Sequence, residues 1–299
     1  MKNVAASVRA RLLNLSREQG VPLNALMEQY ATGRFLYRLG RSQYRERFVL
    51  KGAQLFRIWE AERHRPTRDL DLLGYGEATE EAIKHVFTEL TQLDVEPADG
   101  LVWGEVVTAP IRDEVSYGGV RAGVTVHLAG AVLKIQIDVG FGDAITPGAV
   151  EREWHELLAF PSARLLTYPP ETVIAEKLEA AVSLGIDNSR MKDFYDLHWL
   201  QSHLRFEGKV LTQAVVNTFV RRGTAIPTEV PISLTDEFHK DEQKLLQWNA
   251  FLRKGRLTQI PLADVVHDLS RFLLPVIRKE VADHHWSSSE NWQTLNSSP

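Results

Sequence analysis

The sequence contains no cysteine in 299 residues. This absence excludes a disulfide framework, a cysteine-based zinc site and a thiol nucleophile. No stretch approaches the roughly 20 apolar residues that a membrane-spanning helix needs, and residues 1–20 lack the apolar core of a signal peptide. We therefore expect a cytoplasmic protein that does not engage a membrane.

A strong excess of one charge is also missing. The chain has 35 Lys and Arg residues against 39 Asp and Glu residues, for a net charge of -4. This balance argues against a protein coated in nucleic acid, although a local basic stripe could still bind one. The apolar fraction of 44% and the charged fraction of 25% are those of an ordinary globular protein.

Apolar and polar residues alternate over residues 101–139, which is typical of strands. Gly118-Gly119 and Ala129-Gly130 supply turn residues between them, so the pattern predicts an antiparallel meander. Residues 22–47 and 79–93 have helical spacing instead.

Prolines 161, 169 and 170 mark a joint, after which the chain reads as helical almost to its end. We predict an α+β fold in which a mixed or antiparallel sheet is followed by a helical C-terminal domain. The predicted divisions are residues 1–164, residues 165–285 and a polar, frayed tail over residues 286–299.

Two aspartates alternate with leucines in the segment RPTRDLDLLG, residues 65–74. Positions i and i+2 of a strand point to the same face, so Asp69 and Asp71 project together while Leu70 and Leu72 enter the core. Neighbouring carboxylates can share a divalent cation, and Mg²⁺ prefers one or two carboxylates plus phosphate oxygens. By itself the pattern also fits a solvated strand end.

A turn of small residues, Lys51-Gly52-Ala53, precedes these aspartates between an apolar strand and a helix. Its backbone N–H groups and the helix dipole suit a triphosphate. A third acid, Asp138, shares the polar face of the strand 133–139. It could complete a two-metal site or act as a general base beside one metal, or it could simply end the strand before the Gly140–Gly142 turn.

Helical geometry places Lys177 in the middle of an apolar face of the helix 171–185. The same geometry places Asp193 between apolar residues of the next helix, with Asp196 at the edge. One interpretation is an ion pair between Lys177 and Asp193 that joins two helices. The other is a lysine directed at phosphates with an acid that positions it, and both could hold at once.

Four arginines are spaced 4, 3 and 4 residues apart, at Arg34, Arg38, Arg41 and Arg45. On a continuous helix they would form one basic stripe that could hold RNA phosphates without sequence preference. The alternative is a solvated helix face, which Gly40 could also interrupt.

Six motifs occur in order along the chain: FVLKGA, RPTRDLDLLG, SYGGVR, IQIDVGFGD, YPPETVIAEKLEA and NSRMKDFYDL. Together they resemble the AbiEii/AbiGii family over about residues 45–200. That family comprises polymerase-β-like nucleotidyltransferase toxins, including the MenT group of type IV-like toxin–antitoxin systems. The resemblance implies a nucleotidyltransferase fold and transfer of a nucleoside monophosphate from an NTP with Mg²⁺ or Mn²⁺. It also implies an acceptor such as the 3′ end of tRNA, whose modification stops growth.

Roles follow from the resemblance for the first group of residues. Asp69 and Asp71 would be metal ligands, and Gly52 with Ala53 would be the phosphate-binding turn. Asp138 lies where many members of the wider superfamily keep a third catalytic, metal-binding carboxylate. Ala53 departs from the Gly-Ser or Gly-Gly of that superfamily, so a serine hydroxyl contact is absent while the backbone N–H groups remain.

In the second group, Lys177 would be the family's catalytic or nucleotide-binding lysine, and Asp193 or Asp196 its C-terminal acid. Basic neighbours of these motifs complete the nucleotide site that we predict: Lys51, Arg68 and Lys192.

Three hypotheses remain open at this point. The first is a toxin that acts on RNA, in particular tRNA, and is neutralised by an antitoxin encoded beside it. The second is a nucleotidyltransferase that modifies a small molecule or a protein. The third is an inactive fold retained as a binding partner, against which the intact set of Asp69, Asp71, Lys177 and Asp193 argues.

Overall fold

The computed structural model describes residues 3–59, 64–111 and 118–294. The chain divides into two compact units, which we consider separately. The first unit comprises residues 1–143 and 149–168, and the second comprises residues 144–148 and 169–299. The chain therefore passes briefly into the second unit before it returns to complete the first.

The first unit is built on a seven-stranded mixed sheet. Its strands are β1 (Phe48–Lys51), β2 (Leu70–Gly74), β3 (Val102–Ile111), β4 (Gly119–Leu128), β5 (Ala131–Phe141), β6 (Val150–Trp154) and β7 (Ala163–Thr167). Their order across the sheet is β3-β4-β5-β2-β1-β7-β6. The pairs β2–β5 and β1–β7 are parallel, and the other neighbouring strands are antiparallel.

Strands β3, β4 and β5 confirm the predicted antiparallel meander. Their alternate apolar residues are buried, among them Val124, Val126 and Ile135. The turn between β4 and β5 lies at Ala129-Gly130, as predicted. Of the SYGGVR motif, Ser116 and Tyr117 lie outside the described residues.

Helices described in the first unit are α1 (Val4–Gln19), α2 (Leu23–Arg41), α3 (Phe56–Trp59) and α4 (Glu80–Gln92). Helix α4 begins where the Thr79 hydroxyl accepts a hydrogen bond from the backbone N–H of Ala82. Helix α2 stops at Arg41 and does not reach the predicted residue 47. The reason is local, because the Ser42 hydroxyl donates to the carbonyl of Leu39 and accepts from the N–H of Tyr44, which turns the chain.

Strands β6 and β7 were not expected from the sequence. They pair antiparallel, and β7 then lies parallel to β1 through Val49–Leu166 and Leu50–Thr167. Because Trp154 and Leu165 are buried, this pair of strands belongs to the core of the unit.

The second unit is mainly helical. Its helices are α5 (Pro170–Leu184), α6 (Met191–His203), α7 (Gly208–Arg222), α8 (Asp236–Lys240), α9 (Glu242–Gly255) and α10 (Leu262–Ile277). A small antiparallel sheet joins β8 (Phe206–Glu207), β9 (His284–Ser287) and β10 (Asn291–Thr294) in the order β10-β9-β8. The α+β fold class with a helical C-terminal region is therefore confirmed.

The prediction of a frayed tail from residue 286 is wrong for residues 286–294. They form part of the β9–β10 hairpin, in which the indole N–H of Trp286 donates to the carbonyl of Gln201 at 2.7 Å. The indole N–H of Trp292 donates to the carbonyl of Phe272 at 2.9 Å. The two tryptophans anchor a segment whose other residues are polar, and residues 295–299 lie outside the described part of the chain.

Among the described residues, no helix combines the length and the apolar character that crossing a membrane requires.

Candidate active site

Four charged residues form one row across four neighbouring strands of the first unit. Lys51 on β1 is in register with Asp71 on β2, Asp71 with Asp138 on β5, and Asp138 with Arg121 on β4. Residues in register point to the same face of a sheet, so the charges run plus, minus, minus, plus across that face. We call these four residues the charged row.

Asp71 lies directly against the turn that follows β1. Gly52 has a φ of 72°, in the left-handed region, and opens a 3₁₀ turn over Gly52–Leu55. A Cβ atom placed on Gly52 would overlap the Asp71 carboxylate. Only glycine meets both the backbone and the space requirement here, and it lets the carboxylate lie close to the backbone of Gly52.

Asp138 is held by Arg121 from the neighbouring strand. The guanidinium donates from Nε and from a terminal nitrogen to the two carboxylate oxygens, each at 2.7 Å. This is a two-point ion pair of the kind that guanidinium and carboxylate form best. The Asp138 side chain is 18% exposed and that of Arg121 is 49% exposed, so this ion pair is accessible to solvent.

Asp69 precedes β2 and is exposed, whereas Leu70 and Leu72 are fully buried, as the alternation predicted. The side-chain amide of Gln136, on β5, donates to Asp69 Oδ1 at 3.3 Å. This contact ties Asp69 to the face that carries Asp138. Arg68 is 79% exposed and lies 3.5 Å from Glu28.

Lys51 contacts an acid that the sequence did not single out. Its ammonium lies 2.5 Å from Asp143 Oδ2, and the hydroxyl of Tyr168 donates to the same oxygen at 3.0 Å. The Lys51 side chain keeps 19% of its surface exposed. To bind a phosphate, the Lys51 ammonium must therefore either keep Asp143 as a second partner or leave it.

The donor set of Asp69, Asp71 and Asp138 fits a hard divalent cation, because it offers carboxylate oxygens on one sheet face. In the part of the chain that the structure describes, the ligand oxygens of these three acids do not all lie within 4.8 Å of one another. A single ion would thus use one or two of them and take substrate phosphate oxygens for the rest, which is the coordination that Mg²⁺ commonly adopts. The Asp71 carboxylate occupies the space that a side chain at position 52 would need, so glycine at this turn allows the acid its place.

In the second unit, Lys177 joins helices α5 and α6. Its ammonium lies 2.5 Å from Asp193 and 2.8 Å from Asp196, whose side chains are 3% and 0% exposed. Arg190 makes a further ion pair with Asp193 at 2.6 Å. Burial raises the pKa of Asp193, but the charges of Lys177 and Arg190 outweigh burial and hold the pKa below its ordinary value.

The ion pair predicted between Lys177 and Asp193 is therefore present, with Asp196 as a second partner. Whether Lys177 also takes part in catalysis stays a prediction. Lys192 is exposed on α6, and its assignment to the nucleotide likewise stays a prediction.

The predicted basic stripe is wrong for Arg34 and Arg38, which are 0% and 4% exposed. Arg34 pairs with Asp99 at 3.4 Å and with Glu156 at 3.2 Å, and Arg38 pairs with Asp99 at 2.6 Å. Their helix face packs into the unit because buried acids there neutralise both guanidinium groups. Residues Arg41 and Arg45 are exposed, but Arg45 lies beyond the end of α2 and pairs with Glu151.

Arg34→Met should destabilise the protein by about 3–5 kcal/mol, because it leaves two buried carboxylates short of a partner. Burial raises the pKa of Glu156 from 4.5 to about 7, and the charge of Arg34 opposes this shift. A raised carboxyl pKa favours the folded state below pH 4.5, and this contribution is lost as pH rises through 7. The destabilisation by Arg34→Met, measured by denaturant unfolding, should therefore be larger at about pH 8 than at about pH 5.

Arg45→Met is the matched control, since it removes an exposed arginine–glutamate pair whose side chains are 48% and 42% exposed. Its effect on the free energy of unfolding should stay below about 1 kcal/mol. Equal losses for Arg34→Met and Arg45→Met would contradict the importance of the buried cluster.

Sequence reasoning missed four members of this site: Gln136, Asp143 and Tyr168, which contact predicted residues, and Arg121 of the charged row. The alternation of residues could have identified Arg121, because it lies between the apolar residues Val120 and Ala122 of its strand and so belongs to the polar face. Asp143 and Tyr168 carry no such signal, since each follows the end of a strand.

Comparison with protein families gives a match over most of the chain. The profile described as "Nucleotidyl transferase AbiEii toxin, Type IV TA system" matches residues 34–272. The matched segment includes the charged row, Asp69, and the cluster of Lys177, Asp193 and Asp196. No curated protein matches the chain significantly.

Two solved structures from Helicobacter pylori show a distant likeness. One is JHP933 and the other is described, provisionally, as a nucleotidyltransferase. Each is 15% identical with a TM-score of 0.48 and covers 86% of this chain, and the match spans 91% and 94% of their own chains. At this distance the likeness carries no argument about function.

Proposed function

The chain belongs to the AbiEii nucleotidyl transferase toxin family of type IV toxin–antitoxin systems, and from that premise we propose that it transfers a nucleoside monophosphate from an NTP to RNA. The proposed acceptor is the 3′ end of tRNA, and the reaction uses Mg²⁺ or Mn²⁺. The observation that carries the proposal is the Asp71–Asp138 pair in register beside the Gly52 turn. A toxin of such a system implies a cognate antitoxin. We propose that it neutralises this chain and is encoded beside it.

The proposed division of labour follows from these contacts. Asp71 and Asp69 would hold the cation, which when bound would supply Lewis-acid polarisation of the phosphoryl group. The backbone N–H groups of Gly52 and Ala53 bind phosphate oxygens. Asp138 serves either as a further metal ligand or as the base that accepts the hydroxyl proton of the acceptor, and in both roles it must exchange Arg121 for the new partner.

The acceptor is tested by incubating the purified full chain with each α-labelled NTP in turn, in the presence of total cellular RNA or total cellular protein. We expect label on RNA of tRNA size, for one NTP above the others, and no label after chelation with EDTA until Mg²⁺ or Mn²⁺ is restored. RNA whose 3′ diol has been oxidised by periodate is the matched control acceptor and should stay unlabelled. Label on protein or on a small molecule would contradict the RNA acceptor, and no transfer to any acceptor would favour an inactive binding fold.

The role of Lys177 is separated from its ion pairs by a double substitution. Lys177→Met should lower the melting temperature, because it leaves two buried carboxylates without an ammonium. Adding Asp196→Asn removes one of these charges and should restore most of the stability. If Lys177 is the catalytic lysine, as we expect, transfer per folded molecule stays at least about 100-fold low in the stabilised double variant.

Asp196→Asn alone is the control for this experiment, and it measures separately what the loss of Asp196, itself a candidate for the C-terminal acid, does to transfer. A double variant that recovers both its melting temperature and the transfer rate of Asp196→Asn would show that Lys177 only joins the two helices.

A further inference from the structure

A second group of potential metal ligands lies in the second unit, outside everything assigned to nucleotidyl transfer. Asp236 and His239 come from helix α8, and His267 comes from helix α10. Among the described residues, these three offer one ligand atom each, with all three atoms within 4.8 Å of one another. We call them the His–His–Asp cluster.

Both imidazole rings direct the same nitrogen at the same oxygen. His239 Nε2 lies 3.2 Å from Asp236 Oδ1, and His267 Nε2 lies 3.4 Å from it. Ligand bonds of 2.0–2.1 Å in a tetrahedral site put neighbouring ligand atoms about 3.3 Å apart. The two imidazole–carboxylate spacings match that value, and the two imidazole nitrogens lie within 4.8 Å of each other. The longer spacing, 3.4 Å, is also long for a hydrogen bond.

The fold holds these ligands in place by different means. Asp236 and His239 are three residues apart on one helix, so they project from the same face. His239 is 7% exposed and its ring meets that of His267 edge to face, with centroids 5.0 Å apart. The other two side chains are 63% and 62% exposed, which leaves the cluster open to an ion from solvent.

The positive charge of Lys240 lies beside the cluster and disfavours the binding of a cation there. Its ammonium lies 2.6 Å from Asp236 Oδ2, the carboxylate oxygen that the histidines do not approach. Because the Lys240 side chain is 67% exposed, its ammonium can move away from Asp236 into solvent. Even when the ammonium stays on Oδ2, the other oxygen of Asp236, Oδ1, can still bind an ion.

We propose that the His–His–Asp cluster binds Zn²⁺ and thereby links helix α8 to helix α10. Two imidazoles and one carboxylate are ligands that Zn²⁺ takes readily, and with three protein ligands a fourth position remains for water or a small ligand. A cation at this place replaces two imidazole–carboxylate contacts by three metal bonds. The site stabilises the second unit when the ion is bound.

Zinc binding is tested on the full chain after it has been stripped of metal with a chelator. Excess Mg²⁺ is added first to occupy carboxylate sites, since Mg²⁺ prefers oxygen ligands. Titration with Zn²⁺ against a chromophoric chelator should then give one site per chain together with a rise in melting temperature. Co²⁺ in place of Zn²⁺ should give the intense visible absorption of a four-coordinate ion.

Three variants decide the assignment. His267→Gln, at an exposed position, should weaken zinc binding by more than the roughly 10- to 100-fold that loss of an outer partner costs. Lys240→Gln should strengthen it, because a competing ammonium is gone. His198→Gln is the matched control and should bind zinc as the natural chain does, since His198 pairs with Asp268 at 3.1 Å outside the cluster.

Unchanged zinc affinity in His267→Gln, or an equal loss in His198→Gln, would overturn the proposal and leave the cluster as a set of hydrogen bonds. Neither result depends on transfer activity, so the zinc site and the proposed function succeed or fail separately.

Discussion

Asp71→Asn should reduce nucleotidyl transfer by roughly 1000-fold or more, which corresponds to about 4 kcal/mol of transition-state stabilisation. Asparagine keeps the size and most hydrogen-bonding capacity of the side chain but loses the charge that we propose holds a divalent cation. Since Asp71 lies between Lys51 and Asp138 in the charged row, it is the acid with both the Gly52 turn and the second carboxylate beside it. Single-turnover transfer with saturating Mg²⁺ measures the effect.

Asp94→Asn provides the comparison, because Asp94 is an exposed acid in the loop after helix α4. It should transfer nucleotide at the natural rate, and both variants should melt near the natural temperature. A fully active Asp71→Asn protein would remove the basis of the proposed site. Asp69→Asn should also lower transfer, because Asp69 lies on the same face through its contact with Gln136.

Gly52→Ala should lower transfer by at least about 100-fold, the loss expected when a reacting group is displaced by about 1 Å. The added methyl group would occupy the space of the Asp71 carboxylate, so the acid must move away from the turn. The left-handed backbone at Gly52 also adds about 1–2 kcal/mol of strain for any other residue. The measurement is again single-turnover transfer, made together with a melting curve.

Gly130→Ala isolates the steric effect from the backbone strain. Gly130 has a φ of 83°, and a Cβ atom there would meet nothing within 4 Å. Gly130→Ala should lose only the stability that backbone strain costs, whereas Gly52→Ala also displaces the Asp71 carboxylate. Only Gly52→Ala should lose transfer. If the two variants kept equal activity, the Gly52 turn would not be positioning Asp71.

Of the charged row, the sequence singled out Lys51, Asp71 and Asp138 but not Arg121. Period-two spacing identifies which residues of each strand share a face, and it places Asp71 and Asp138 on the polar faces of their own strands. The two acids can be grouped because metal-dependent phosphoryl transfer commonly uses a third carboxylate. The spacing does not give strand order, because β2 pairs with β5 across a gap of about sixty residues along the chain, and non-local pairing leaves no local pattern.

The same limit explains why Arg34 and Arg38 were misread. Helical spacing places them on one face whether that face meets solvent or buried acids, and their partners Asp99 and Glu156 are far along the chain. The β9–β10 hairpin was missed for another reason. Its strands are short and polar, and single tryptophans, Trp286 and Trp292, supply most of its anchoring.

Strand β7 has a consequence for any shortened form of this chain. Residues 163–167 cover the edge of β1, although they follow the brief excursion of the chain into the second unit. A fragment cut before residue 149 would leave β1 with unpaired backbone groups along that edge, and its apolar residues Val49 and Leu50 would be left beside them. Such an edge is a template for pairing with other molecules, so the excised sheet would aggregate even with Asp69, Asp71 and Asp138 in place.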